Sequence, residues 1–318
     1  MSISLTDVND NAPYFPHGQY HVSVVENNNI GDVITQLKAS DADIGENARI
    51  SYRLASASEN FEINKDSGEI TALVSLDAEK NLHEPEMLEI IAEDNGNPKL
   101  RGQTTLRVSI KDFNDNAPIF IRKNYTFEIT ENLPTSFIIG QVEAIDGDLV
   151  PDLKYKLLQN YKYFPFEIDQ ENGRLYVAGK VDYEGDNQLY DFQVQAIDKD
   201  GFNDLANVKI QILDENDNPP RVKYPHPSKD VIWLPPTLQP GDLVTTIQVV
   251  DPDSGANGNT DFEIEGGSGS DFVKINHIGE IILQKEIKPK DYGRYAIFVR
   301  INDHGKNQLF TTLRVRRD

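Results

Sequence analysis

The sequence predicts an all-β protein made of three tandem β-sandwich repeats, each with seven strands in Greek-key order. Three observations lead to this prediction. An acidic segment recurs at the spacing of a whole domain, beginning at Asp7, Asp112 and Asp214. Between these segments, short runs alternate apolar and polar residues and are broken by Gly, Pro, Asn and Asp, which is typical of antiparallel sandwiches. No stretch has the periodicity of a long amphipathic helix.

The acidic segments divide the chain into units of about 100 residues, the size of one sandwich. Residues 1–11 are the tail and linker of a preceding repeat; repeat A with its linker is residues 12–116, repeat B with its linker is residues 117–218, and repeat C is residues 219–318. Alternating runs at residues 20–24, 104–110 and 207–212 fit strands near the ends of these units. We expect the two termini of each unit at opposite ends, so that the repeats join in a row.

Acidic landmarks recur in the same order in successive units. They are Glu26 and Glu131; the Asp-x-Asp pairs Asp41/Asp43, Asp146/Asp148 and Asp251/Asp253; the Asp-x-Glu pairs Asp77/Glu79 and Asp182/Glu184; and the single acids Asp94, Asp198 and Asp303 ahead of a glycine. Four kinds of landmark at matching offsets indicate a true internal repeat.

The charge of the chain limits its function. There are 52 acids and 31 bases, a net charge of −21, which argues against nucleic acid and anionic membrane surfaces as partners. The chain has no cysteine, which excludes thiol catalysis and cysteine-based zinc sites. No apolar run could form a signal peptide or membrane span, so we expect a soluble piece whose parent carries its targeting and anchoring segments elsewhere.

The chemistry of the acidic segments points to a hard cation. A run such as Asp112-Phe113-Asn114-Asp115-Asn116 offers carboxylate, amide and carbonyl oxygens in the connection between two sandwiches. Carboxylates that converge there would repel each other. Ca²⁺ takes about 6–8 oxygen ligands of these types, so the pattern predicts calcium between the repeats.

These motifs strongly resemble the extracellular repeats of the cadherin superfamily, over essentially the whole chain. The resemblance rests on the DxNDN linker, the Glu of the first strand, the DxE and DxD pairs, and the Asp of an AxDxG segment. It implies an internal three-repeat fragment of a longer, non-classical cadherin ectodomain. It also implies about three Ca²⁺ ions at each complete junction, held by one repeat, the linker and the next repeat.

The resemblance assigns the ligands residue by residue. The first junction, between repeats A and B, would use Glu26, Asp77, Glu79, Asp112, the Phe113 carbonyl, Asn114, Asp115, Asn116, Asp146, Asp148, Asp152 and Asp198. The second junction, between repeats B and C, would use Glu131, Asp182, Glu184, Asp214, the Glu215 carbonyl, Asn216, Asp217, Asn218, Asp251, Asp253, the Asn257 carbonyl and Asp303. An N-terminal half-junction of Asn9, Asn11, Asp41, Asp43, Asn47 and Asp94 would hold one ion.

The sequence departs from the family pattern in two places. Asp152 stands where the other repeats have Asn47 and Asn257, and we expect binding to survive because this position contributes a backbone carbonyl. Repeat C reads Trp233-Leu234-Pro235-Pro236 in place of the first-strand Glu, Lys288-Pro289-Lys290 in place of Asp-x-Glu, and ends in Arg316-Arg317-Asp318. We therefore expect no calcium junction below repeat C; either a calcium-free, bent joint or a different kind of domain would follow.

The resemblance implies calcium-dependent cell adhesion, with calcium making the row of repeats rigid. The partner would be another cadherin-type ectodomain, homophilic or heterophilic, and neither nucleic acid nor a small-molecule substrate. The location would be extracellular, on a parent with a single membrane span. The alternative is an internal spacer or a receptor segment without direct adhesive contact. Residues 1–11 offer no N-terminal Trp anchor, and Trp233 is expected to pack inside its own repeat.

Two other classes fit the residues poorly. Paired carboxylates could serve an enzyme as acid and base, but an active site would not be copied at every domain boundary. The six histidines show no close metal-ligand spacing. An EF-hand starting at Asp251 is excluded because Ala256 and Phe262 stand where its loop needs Gly and Glu.

One N-glycosylation sequon is present, Asn124-Tyr125-Thr126. It lies just after the first linker, at the start of a predicted strand, where Asn124 would be exposed.

Overall fold

The computed structural model describes residues 5–80, 84–185, 187–226, 231–232, 235, 237–291 and 293–317, with the side chains of 315–317 left aside. These residues form 24 strands and two short 3₁₀ turns, Ser270–Phe272 and Pro289–Asp291. The all-β sandwich prediction is therefore confirmed. Among the described residues, no helix has the length and apolar character needed to cross a membrane.

Repeat A has the predicted seven strands. They are β1 (Gln19–Val25), β2 (Val33–Gln36), β3 (Ser51–Leu54), β4 (Phe61–Ile63), β5 (Glu69–Ala72), β6 (Glu86–Glu93) and β7 (Arg101–Lys111). One sheet has the order β1-β7-β6-β3 and the other β2-β5-β4, so the chain crosses repeatedly between sheets. Strand β1 runs parallel to β7 in continuous register, from Gln19 opposite Thr105 to Val25 opposite Lys111.

The alternation of apolar residues along these strands builds the core of repeat A. Phe61, Ile70, Leu88, Ile90 and Leu106 are buried between the two sheets. Because successive side chains of a strand point to opposite faces, the residues between them reach solvent. The repeat thus has a hydrophobic core of its own.

Repeat B has nine described strands where seven were predicted, because its first two strands are each split in two. The strands are β8 (Ile119–Phe120), β9 (Asn124–Thr130), β10 (Ile138–Gln141), β11 (Ala144–Ile145), β12 (Lys154–Leu158), β13 (Phe166–Ile168), β14 (Arg174–Val177), β15 (Leu189–Ile197) and β16 (Asn203–Leu213). The sheets have the orders β12-β15-β16-β9, β10-β14-β13 and β11-β8. The first strand changes partners, since β8 pairs antiparallel with β11 and β9 pairs parallel with β16.

Repeat C is built in the same way. Its strands are β17 (Arg221–Tyr224), β18 (Leu243–Thr246), β19 (Gln248–Val250), β20 (Thr260–Gly266), β21 (Val273–Ile275), β22 (Glu280–Leu283), β23 (Tyr295–Asp303) and β24 (Phe310–Arg317). The sheets are β20-β23-β24, β18-β22-β21 and β17-β19. Ile281, Ile297, Val299, Ile301 and Leu313 lie in its core. Trp233, Leu234 and Pro236 lie outside the described residues, so the predicted packing of Trp233 stays a prediction.

The chain divides into two compact units that do not follow the repeat boundaries. One unit is Met1–Ile121, Glu143–Lys156 and Gln195–Leu205, and the other is Arg122–Val142, Leu157–Val194 and Ala206–Asp318. The first unit contains every residue predicted for the first junction, and the second unit contains every residue predicted for the second. Each predicted site can therefore be described inside one compact unit.

Candidate calcium centres

A buried glutamate ties each linker to the repeat above it. Val25 pairs with Lys111 at the ends of β1 and β7, so Glu26 lies beside the start of the first linker. The Glu26 carboxylate accepts hydrogen bonds from Ala78 N at 2.6 Å and from Phe113 N at 2.7 Å.

Glu131 repeats this arrangement at the second junction. Its carboxylate accepts from Tyr183 N at 2.8 Å and from Glu215 N at 2.9 Å. The carbonyls of Phe113 and Glu215 are among the predicted ligands of the linkers, and the glutamates bind the backbone N–H groups of the same two residues.

The linker aspartates are oriented by an asparagine that sequence reasoning did not assign a role. Asn27 Nδ2 donates to Asp115 Oδ2 at 2.6 Å, and Asn132 Nδ2 donates to Asp217 Oδ2 at the same distance. Both asparagines have positive φ, 61° and 58°, a conformation that Asn tolerates better than most residues. The signal was in the sequence, because Asn follows the first-strand Glu in both repeats.

The first asparagine of each linker contacts the lower repeat. Asn9 donates to Asp94 and Asn114 donates to Asp198, at 3.2 and 3.1 Å. Asn216 donates instead to the Asn307 carbonyl at 2.9 Å.

Two glycines make room for these asparagines. A Cβ on Gly96 would lie 2.2 Å from the Asn9 side chain, and one on Gly305 would lie 2.1 Å from Asn216. This close approach explains why the sequence has glycine there after the buried Asp.

The last asparagine of each linker bonds the second acid of Asp-x-Asp. Asn11, Asn116 and Asn218 each donate from both the backbone N and Nδ2, to Asp43, Asp148 and Asp253 respectively. The backbone N of this second acid in turn donates to Oδ1 of the first, at 2.9–3.1 Å. The Asp-x-Asp pairs therefore make the same hydrogen bonds in all three repeats.

The first junction gathers its carboxylates into three overlapping groups. In each group, one oxygen from every member lies within 4.8 Å of the others. The groups are Glu26, Asp77 and Glu79; Glu79, Asp115 and Asp148; and Asp146, Asp148 and Asp198. Glu79 and Asp148 each belong to two groups, so the acids of the upper repeat, the linker and the lower repeat form a continuous series.

The second junction has two such groups, Glu131, Glu184 and Asp217, and Glu184, Asp214 and Asp253. Asp182, Asp251 and Asp303 join neither group, and Asp112 joins none at the first junction, within the part of the chain that is described. No group of this kind forms at the described residues of the N-terminal half-junction. The assignment of one ion there stays a prediction.

The burial of the predicted ligands and the partners of their oxygens indicate whether these residues fit a cation. Asp94 and Asp303 are fully buried, and Glu131 is only 1% exposed. Within the described part of the chain, eight buried side-chain oxygens of predicted ligands have no hydrogen-bond partner: Asn9 Oδ1, Asp41 Oδ2, Glu79 Oε1, Asp112 Oδ1, Asp146 Oδ2, Asp148 Oδ2, Asn216 Oδ1 and Asp251 Oδ2. Buried oxygens without partners are costly, most of all when charged. Calcium accepts such oxygens as ligands, so the residues fit this ion.

The electrostatics of the carboxylates agree with this crowding. Desolvation, with the neighbouring carboxylates Asp112 and Glu26, raises the pKa of Glu79 to about 7. Partial desolvation and the nearby Glu131 and Asp182 raise the pKa of Glu184 to about 7. These acids hold protons more tightly than an ordinary glutamate because a negative charge is unfavourable there.

Two lysines, not identified from the sequence, offset part of the charge. Lys80 forms an ion pair with Asp77, and Lys180 forms one with Asp182. Hydrogen bonds from these lysines lower the pKa of Asp77 and of Asp182. The first acid of each Asp-x-Glu pair thus has a cationic partner, whereas no ion pair to the second acid is found among the described residues.

The departures noted in the sequence have structural counterparts. Asp152 pairs with Lys154 at 3.3 Å, whereas Asn47 and Asn257 donate to the linker acids Asp7 and Asp214. In repeat C, Lys288 and Lys290 are exposed around the 3₁₀ turn Pro289–Asp291. Strand β24 ends at Arg317, and Asp318 lies outside the described residues.

Comparison with known proteins finds the same kind of domain in all three repeats. The model of the cadherin domain matches residues 20–111, 125–213 and 232–316. The chain belongs to the cadherin family. Cadherins are adhesion proteins rather than enzymes, which confirms the prediction that this chain is not a catalyst.

Individual cadherins extend the match to nearly the whole chain. Human protocadherin-1 is 34% identical over 98% of this chain, which spans 30% of the length of that relative. The structure of PcdhgB3 EC1-4 has a TM-score of 0.84 and 26% identity, covering 98% of this chain and 76% of its own. The cis-dimer structure of protocadherin gammaB7 EC3-6 has a TM-score of 0.77 and 27% identity, covering 98% and 78%.

Proposed function

We propose that this chain is a calcium-dependent adhesive segment of a cadherin ectodomain, in which calcium at the two complete junctions stiffens the row of repeats. The observation that carries the proposal is the set of buried side-chain oxygens without partners among the described residues. At the first junction they come from repeat A, the linker and repeat B, and at the second they come from the linker and repeat C. A single repeat would not need to bury acids at its end. Acids shared between repeats make sense where a cation joins them.

The residues that would hold the ions are those predicted for the first and second junctions. Each set contains eight residues that would bind through a side-chain carboxylate, and the two sets together account for sixteen of the 52 acids. Asp152 and Glu215 are not counted, because they would bind through their backbone carbonyls. Bound Ca²⁺ would supply positive charge and coordinate bonds to these oxygens. Three ions carry six positive charges, which would leave each junction with two excess negative charges.

The chain's own residues determine what happens without metal. Close carboxylates such as Glu79, Asp115 and Asp148 repel one another and push the linker away from both repeats. A linker residue released in this way regains about 1–2 kcal/mol of backbone conformational entropy. The separate cores of repeats A and C do not depend on the linkers. Each repeat should therefore stay folded while the joints loosen.

Small-angle X-ray scattering tests the stiffening. In calcium, the fragment should give a larger maximum dimension and a narrower distribution of shapes than in EGTA. Circular dichroism in EGTA should show the β-sheet signal unchanged, which separates loosened joints from unfolded repeats. A maximum dimension that does not change with calcium would reject the proposal.

We further propose that the parent protein lies at the cell surface and binds another cadherin-type ectodomain. Likeness to a protocadherin cis-dimer supports such a partner, whether a second copy or a different cadherin. The alternative is an internal spacer or receptor segment whose adhesive surface lies elsewhere in the parent. Beads coated with the fragment should aggregate in calcium and disperse in EGTA if it adheres directly. Beads that stay dispersed in both buffers would favour the spacer.

A further inference from the structure

The loop after Asp-x-Asp in repeat B differs from its counterparts. Repeats A and C read Ile44-Gly45-Glu46-Asn47 and Ser254-Gly255-Ala256-Asn257, and both glycines have positive φ, 60° and 58°. Repeat B reads Leu149-Val150-Pro151-Asp152. A left-handed turn favours glycine, so a loop with Val150 and Pro151 follows a different path.

This loop has also lost its bonds to the linker. Ile44 N donates to Asp7, and Ser254 N donates to Asp214. Among the described residues, no such bond joins Leu149 N to Asp112, whose Oδ1 is buried without a partner. The side chain of Asp152 has no N–H to donate in place of the asparagine amide, and it pairs with Lys154 instead. The loop is therefore held in place by something other than the linker.

Leu149 faces repeat A across a cavity. It is partly buried, whereas the neighbouring Val150 is 69% exposed. Leu149 lines a cavity of about 160 Å³ whose other walls are formed by repeat A: Ala78, Glu84, Pro85, Arg107, Ser109 and Ile110. All of these residues belong to one compact unit.

The cavity that Leu149 lines lies next to the carboxylate cluster of the first junction. Ala78 is the middle residue of Asp77-x-Glu79, it is 3% exposed, and its backbone N donates to Glu26. At the second junction, the large and small side chains are exchanged between the two positions. Tyr183 stands in place of Ala78, and Ser254 stands in place of Leu149. A small residue opposite a leucine leaves room for docking. Exposed Ser254 offers no apolar group to bury.

We propose that Leu149 is a positioning residue that docks repeat B onto repeat A at the first junction without requiring calcium. Burial of apolar surface does not depend on the ion, so this contact persists when the carboxylates lose their cation. The two junctions then differ: without calcium, the first keeps a preferred orientation and the second does not. The inference rests on the proposed function, because it concerns how the same joints behave without metal.

Pulsed electron paramagnetic resonance between paired spin labels can compare the two junctions directly. The chain has no native cysteine, so introduced cysteines are labelled uniquely. Glu62, Glu167 and Lys274 are exposed and occupy the middle of the equivalent strands β4, β13 and β21. Glu62→Cys with Glu167→Cys reports the first junction, and Glu167→Cys with Lys274→Cys reports the second.

In EGTA, the first junction should give a narrower distance distribution than the second. Leu149→Ser should broaden the first distribution to the width of the second and leave the second unchanged. Val150→Ser is the matched control, because it alters the same loop at an exposed position. Pro85→Ser tests the opposite wall and should also broaden the first distribution, which keeps the test informative should Leu149→Ser fold poorly.

Two different failures can be told apart. Suppose that calcium narrows the distance distributions of both junctions in the parent chain, but Leu149→Ser and Pro85→Ser leave the distribution of the first junction in EGTA unchanged. The positioning role of Leu149 is then rejected, and the proposed function stands. Distance distributions of equal width for the two junctions of the parent chain in EGTA would also reject the positioning role. If calcium narrows the distance distribution of neither junction, the proposed function itself fails.

Discussion

At the scale of single residues, the junctions are defined by carboxylates that are buried although they carry charge. Glu26 and Glu131 each accept two backbone hydrogen bonds, one from the upper repeat and one from the linker. Such bonds stabilise the ionised form, but burial of the charge remains unfavourable without a cation. In the proposed function, the glutamates would therefore couple the folding of the linker to the binding of calcium.

Glu26→Gln should selectively weaken the first junction. The amide keeps the shape but removes a negative charge and directs an NH₂ group at a backbone N–H donor. We expect the calcium affinity of the first junction to fall at least tenfold, about the loss found for altered metal-site partners. Isothermal titration calorimetry would show one class of sites weakened. Glu131→Gln should weaken the other class, and Glu128→Gln, on the exposed face of β9, should change neither.

Calcium affinity should also fall as the pH is lowered from 8 to 6. Glu79 and Glu184 have pKa values raised to about 7, so lower pH protonates them and a proton competes with the cation. Because the pKa values of Glu79 and Glu184 are raised in the folded state, protonation of these acids stabilises the metal-free junctions at low pH. This stabilisation is lost as the pH rises through 7. Calorimetry in two buffers of different ionisation enthalpy should detect proton release on calcium binding at pH 7. Glu79→Gln should reduce that release, and an unchanged release would contradict the assignment.

At the scale of strands, register places the ligands. The parallel pairing of β1 with β7 ends at Val25 opposite Lys111, and that of β9 with β16 ends at Thr130 opposite Leu213. The next residue on one strand is the buried glutamate, and the next on the other begins the linker. A shift of one residue would turn the strand's side chains to the opposite face and separate these groups. In repeat C, Pro235 stands near the corresponding place and brings no carboxylate.

The start of β9 should carry an N-linked glycan when the chain is made in a secretory host. Asn124 is exposed at the end of the strand and lies opposite Asn207 in β16, so a glycan can extend into solvent. Treatment with N-glycosidase F should shift the mass by one glycan. Asn124→Gln and Thr126→Ala should remove the shift, whereas Thr126→Ser should keep it because the sequon is retained. Secreted protein with no shift would contradict this prediction.

At the scale of the whole chain, each complete junction has its own predicted ligand set within its own compact unit. Charge is also unevenly placed: repeat C, residues 219–318, has thirteen acids and thirteen bases, so the net charge of −21 comes from the first 218 residues. The two predicted ligand sets share no residue. We therefore expect them to respond separately to substitution.

Asp115→Ala should loosen the first junction and leave the second intact. The substitution removes a member of the central group and the acceptor of the Asn27 amide. In calcium, the spin-label distribution across the first junction should broaden and that across the second should stay narrow. Asp217→Ala should give the reverse pattern. Equal softening of both junctions by either variant would show that the sites are not independent.

The sequence determined the repeat, the fold class and the acidic residues of the junctions, because domain-length spacing and oxygen-rich motifs are properties of the chain itself. The tertiary structure decided which oxygens meet, since Glu26, Asp115 and Asp148 come from three distant segments. It also revealed the roles of Asn27 and Lys80, whose partners lie outside any local pattern. Leu149 reads as an ordinary loop residue in the sequence. Only folding places it in the lining of the same cavity as Ala78, because burial depends on neighbours that are remote along the chain.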